Sequence, residues 1–211
     1  ARQRLERQRP DLILTTSPFW FYEPAVVAAA KRLKIPVMAL IPSWDNLSTK
    51  NRMVFSYDGF MVWNEQLKKE LLEFYPVSRS VPVYVTGAPQ FDLFLREDLY
   101  VSREDFCARY GLEPSLPIVL YALGSPNFIK EHPGALEMAK RVVAGELGEA
   151  QLLVRPHPAH SNIEMTQMFA PYAPRVVLQQ SAAVKMKVND RTQDLSQVVD
   201  WINTFRHSDV V

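Results

Sequence analysis

Short apolar runs alternate with stretches of helical periodicity along this chain, and that alternation constrains its fold more than any other feature. Leu12-Ile13-Leu14-Thr15-Thr16 is ended by Ser17-Pro18, the pattern of a strand buried on both faces of a parallel sheet. Pro24 suits a first helical turn, Ala25 to Leu33 favours helix, and Lys31, Arg32 and Lys34 suit its negative end. Pro36 to Ile41 is the next strand, so residues 11–41 read as one βαβ unit. The order repeats with a strand at Gly59 to Trp63, a helix at Glu65 to Phe74 presenting Leu67, Leu71 and Phe74 on one face, and a strand at Val81 to Thr86.

Gly87 frees φ and Pro89 interrupts regular structure, so Thr86 to Asp92 reads as a connection between two sheets. Ser102 with Asp105 forms a capping pattern, and Gly111 stops that helix. A second series follows, with strands at Ile118 to Ala122, Gln151 to Val154 and Arg175 to Leu178. Helices are expected near 133–144, 163–169 and 195–205, before a terminal Asp209-Val210-Val211 strand. The basic, helix-like opening without methionine and the close on an apolar run read as the two ends of an internal fragment.

The 24 Lys and Arg against 23 Asp and Glu give no broad basic surface, which argues against a nucleic-acid partner. Cys107 is the single cysteine, expected to be packed in a helix, and nothing resembles a paired-cysteine zinc site. With no apolar run near the roughly 20 residues that span a bilayer and no signal-peptide pattern, a soluble cytoplasmic protein is expected.

Ligands of open α/β sheets bind beyond the carboxyl ends of the strands. Four such places carry polar chemistry: Ser17 to Trp20, Ser43 to Lys50, Gly124 to Asn127, and Arg155 to His160. The second offers Trp44, Asp45, Asn46, Thr49 and Lys50 as candidate acceptor contacts; alternatively Asp45 and Asn46 make an Asx turn while Trp44 anchors the loop in the core. In Arg155-Pro156-His157-Pro158 two prolines stiffen the backbone around a cation and an imidazole. Arg155 suits a phosphate, and His157 suits a diphosphate contact or acid/base work; alternatively the turn only ends the strand and caps the next helix. His160 reads as a helix-start residue, and His132 and His207 as surface ones. Gly124 and Ser125 permit close backbone approach to a ligand. No dinucleotide fingerprint, Walker sequence, nucleophile elbow or zinc-protease motif is present, and no cofactor is implied.

The order of Ser-Trp-Asp-Asn-Leu-Ser-Thr-Lys (43–50), Val-Trp-Asn-Glu (62–65), Val-Thr-Gly-Ala-Pro-Gln-Phe-Asp (85–92) and Arg-Pro-His-Pro (155–158) resembles the GT-B superfamily. Within it the chain is most similar to bacterial surface-polysaccharide enzymes, including the CDP-glycerol glycerophosphotransferase-like group. Residues 86–92 also resemble the interdomain segment of UDP-N-acetylglucosamine 2-epimerases. The resemblance implies two Rossmann-like parallel-sheet α/β domains, both incomplete: 1–90 on the acceptor side and 91–211 on the donor side. It implies transfer of a sugar or polyol phosphate from a nucleotide-activated donor to a glycan or lipid-linked acceptor, with peripheral membrane contact in the latter case. His157 matches the His-Pro near the donor phosphates, with Arg155, Gly124 and Ser125 as donor contacts and Asp45 as a second catalytic candidate. The rest of the family's donor site falls after Val211, so the resemblance implies a fragment inactive by itself. The alternatives are an epimerase using Asp45 and His157, and a non-catalytic nucleotide- or glycan-binding scaffold.

Overall fold

The computed structural model describes residues 1–16, 18–50, 52–179 and 195–211. They form two compact units, residues 1–92 and 93–211.

The first unit opens with helix α1 (Arg2–Gln8). Then come β1 (Ile13–Thr15), α2 (Glu23–Arg32), β2 (Val37–Leu40), the short α3 (Asn46–Thr49), β3 (Gly59–Val62), α4 (Glu65–Phe74) and β4 (Val83–Val85). The sheet order is β1-β2-β3-β4 and every pairing is parallel. Parallel neighbours cannot be joined by a tight hairpin, so each connection returns across a face of the sheet. Val27 and Ala30 of α2, Val37 and Ala39 of β2, Phe60 and Val62 of β3, and Leu67 and Leu71 of α4 share one core. Phe74 departs from the expected helix face. It is 45% exposed at the last position of α4, and the adjacent Tyr75 packs against the core instead.

In the second unit α5 (Arg103–Tyr110) is followed by β5 (Ile118–Ala122), α6 (His132–Val143), β6 (Gln151–Arg155), α7 (Asn162–Phe169), β7 (Val176–Leu178) and α8 (Leu195–His207). Its sheet, β5-β6-β7, is parallel throughout. Alternate residues face opposite sides of a strand, and both faces are covered here. Leu152 and Val154 join a cluster with Ala135, Ala139 and Val142 of α6 and Met165 and Phe169 of α7. Leu153, with Ile118 and Leu120, faces Phe106 and Cys107 of α5 and Phe205 of α8. Double-sided burial explains why β6 reads as an unbroken apolar run. Cys107 is buried, and burial pushes its thiol pKa up, away from reactivity.

The Ser102 hydroxyl accepts from the Asp105 amide at 3.0 Å, and Gly111 ends α5 in the left-handed region at φ 69°. The terminal strand is reduced to a parallel bridge between Val210 and Val119. A polar clasp holds it. Arg103 donates to the carbonyls of Pro114, Leu116 and His207 and to the Asp209 carboxylate, which also accepts from the Ile118 amide at 2.8 Å. His207 is not a free surface residue: its Nε2 lies 2.9 Å from the Val101 carbonyl and its ring packs against Phe106. Among the described residues no helix is long and apolar enough to cross a membrane.

The Ile118 amide first, then Arg103, hold the Asp209 carboxyl below the usual carboxylate range. A depressed folded-state pKa stabilises the fold above the unfolded value, and that contribution is lost as pH falls through the folded one. Asp209→Asn should therefore lower Tm at pH 7 but by progressively less below about pH 4. Thermal melts of both proteins from pH 7 to 3 check this, and a difference that stays constant with pH would contradict it.

Candidate functional site

All strands of each sheet run the same way, so the loops after them gather at one edge of each unit. At the first unit's edge, the loop after β2 turns into α3. The carboxyl of Asp45 accepts from the Ser43 hydroxyl at 2.6 Å, the Thr49 hydroxyl at 2.9 Å and the Asn46 amide at 3.2 Å. The Ser43 contact above all, then that of Thr49, holds its pKa below the usual range, with Lys50 adding to the effect. Asp45 is thus committed to its own loop and is a weak base. Asn46 and Leu47 are buried whereas Trp44 is 69% exposed. The core anchoring that the alternative reading gives Trp44 therefore belongs to Asn46 and Leu47. Lys50 and Thr49 are exposed.

The loop after β1 carries an aromatic group that the sequence reading left unassigned; its Ser17 lies outside the described residues. Phe19 is buried, while Trp20, Phe21 and Tyr22 are 57%, 85% and 53% exposed. Trp20 and Tyr22 stack at 6.1 Å with 15° between their planes. The loop ends on Glu23, the first residue of α2 and only 6% exposed. Its Oε1 is buried without a hydrogen-bond partner. Burial, with the charge of Glu23 adding, pushes the phenol of buried Tyr57 above its ordinary range. After β3, the Trp63 indole N–H is likewise buried and unpartnered, its ring edge-on to Phe91 at 5.8 Å.

In the second unit, Ala122 of β5 lies opposite Arg155 of β6, and the Leu123 amide donates to the Arg155 carbonyl at 2.9 Å. This pairing sets Gly124 and Ser125 beside the Arg-Pro-His-Pro turn. The Gly124 amide is not free, because it donates to the carboxyl of Glu131, the residue before α6. That carboxyl occupies the backbone donor expected to meet a ligand. The Ser125 carbonyl accepts from the Phe128 and Ile129 amides, folding the loop on itself.

Arg155 shares the strand face of Leu153, towards α5 and α8. Burial disfavours its charge, which Tyr110 and Asp200 partly offset. A guanidinium nonetheless stays protonated, and its buried Nη1 has no hydrogen-bond partner. Asp200 is itself paired with Arg109. His157 Nδ1 accepts from the Ala159 amide at 3.1 Å, which fixes the neutral tautomer carrying its proton on Nε2. Burial first, then the neighbouring His160, lowers its pKa from 6.5. At neutral pH the ring is a hydrogen-bond donor. Asp45 and His157 stand in different units.

Four side-chain atoms are buried without a partner among the described residues: Glu23 Oε1, Trp63 Nε1, Arg155 Nη1 and Arg175 Nε. Such groups are rare in folded proteins. Glu23, Trp63 and Arg155 follow or end strands β1, β3 and β6, towards the carboxyl-terminal edge of each sheet; only Arg175 precedes its strand. No group of His, Cys, Asp and Glu among the described residues is arranged to hold a metal. The chain matches no family model, and no curated protein matches it.

The His157 tautomer is open to a direct check. Its imidazole should titrate below about 6.5 in a histidine NMR titration, with nitrogen shifts showing protonated Nε2 at pH 7. A midpoint above that value, or a proton on Nδ1, would contradict the geometry.

Proposed function

We propose that the chain belongs to a GT-B-like transferase of cytoplasmic setting, which moves a sugar or polyol phosphate from a nucleotide-activated donor to a glycan or lipid-linked acceptor. The observation that carries this reading is the buried, unpartnered Nη1 of the Arg155 guanidinium at the end of β6. A diphosphate would satisfy it with charge-assisted bonds. The neutral His157, donating from Nε2, adds a second contact at the mouth of the same strand. The backbone amide of Gly124 becomes a third when Glu131 gives way to the ligand's own negative charge. The epimerase reading is disfavoured because its carboxylate, Asp45, is already held by Ser43 and Thr49.

Removing one charge-assisted hydrogen bond costs about 1.5–3 kcal/mol. Arg155→Ala should therefore weaken binding of CDP or UDP by roughly tenfold to a hundredfold, without lowering Tm, since it removes a cation whose burial is only partly offset. Glu131→Gln should strengthen the same binding by removing a competing anion. Titration calorimetry with each nucleotide checks both variants; unchanged affinities in both would make the turn a structural one and refute the donor-site reading.

A further inference from the structure

We infer that the ligand edge of the first unit binds a saccharide or polyol, held through its hydroxyl groups by Glu23 and Trp63 and laid against the rings of Trp20 and Tyr22. This deepens the transferase reading by naming the acceptor class and the residues that take it.

Glu23 carries the inference. A carboxyl that is 6% exposed, with an oxygen buried and unpartnered, is costly unless something donates to it. Asp45, beyond the neighbouring strand, shows the contrast, since its own loop supplies hydroxyl and amide donors. Among the described residues, the loop from β1 gives the buried Oε1 of Glu23 none. Across β2, beyond β3, Trp63 has the opposite deficit: a buried N–H with nothing to receive it. Strands β1 and β3 are separated by two strand spacings, about 10 Å.

The ligand must therefore accept at one place and donate at another. An anion would satisfy Trp63 but meet the carboxyl of Glu23, whereas an ammonium group would satisfy Glu23 and leave Trp63 unanswered. Hydroxyl groups do both. The flat pair of Trp20 and Tyr22, stacked yet more than half exposed, suits the apolar face of a sugar ring. Aromatic walls with a few placed polar groups are the usual lining of small-molecule sites.

The test uses the full chain and a panel of methyl glucoside, methyl galactoside, methyl N-acetylglucosaminide and glycerol, read by saturation-transfer NMR and tryptophan fluorescence. At least one member should bind and perturb tryptophan emission. Glu23→Gln preserves shape and should weaken that binding at least tenfold while leaving Tm unchanged or raised, the opposite of a structural role. Trp20→Ala, at an exposed position, should weaken it as well. Absence of binding by every member, or affinity unchanged from the unmodified chain in both variants, overturns the inference. CDP and UDP affinity, measured in the same variants, should not change. In the unmodified chain, nucleotide binding with no saccharide binding sinks this inference alone, and saccharide binding with no nucleotide binding sinks the donor-site reading alone.

Discussion

Parallel strand pairing is the constraint on which the rest of this structure depends. It forces every connection back across a sheet face, so helices cover the strands and the strands become unbroken apolar runs. It also sends all post-strand loops to one edge of each sheet. The polar residues that no strand or helix interior accepts therefore collect there: Ser43 to Lys50 after β2, Gly124 to Glu131 after β5, and Arg155 to His160 after β6. Chemistry at those positions follows from topology before any ligand is considered.

Hydrogen-bond satisfaction then separates scaffolding from candidate function. Asn203 shows the scaffolding case. It is buried, donates to the carbonyls of Leu99 and Val199, and accepts from the Val101 amide. Gln179 and Thr204 satisfy each other beside Tyr110. Asp45 belongs with these residues, despite its promising place in the sequence. Glu23, Trp63 and Arg155 do not: of the four buried side-chain atoms left without a partner among the described residues, theirs are the three at carboxyl-terminal strand edges, the fourth being Nε of Arg175 before β7.

The alternation of strands and helices was legible because buried strands give short apolar runs, buried on both faces in the second sheet, and because Ser102, Gly111 and Pro133 mark helix ends in ways local chemistry dictates. Boundaries drifted where tertiary packing decides. Phe74 continued a helical stripe but gave up its place to Tyr75, and the terminal strand shortened to one bridge. For Trp44 the sequence leaves an acceptor contact and a core anchor both open, and the loop turning into α3 buries Asn46 and Leu47 while leaving Trp44 exposed. Glu23 was overlooked because an acidic residue opening a helix already has an ordinary explanation in the helix dipole. Only its burial makes it unusual, and burial is not written in its neighbours. Glu131 escaped for a similar reason, since its partner is a backbone amide seven residues away.

The central claim is that the carboxyl-terminal edges of these parallel sheets are binding edges, with Arg155 as the anion contact. The most direct measurement is an NMR titration of the isotopically labelled chain with CDP and UDP, following backbone amides together with arginine side-chain signals. The account predicts saturable shifts concentrated at Gly124, Ser125, His157 and the Arg155 guanidinium, with β7 and the start of α5 little affected. Shifts centred away from the ends of β5 and β6, or none at millimolar nucleotide, would contradict it.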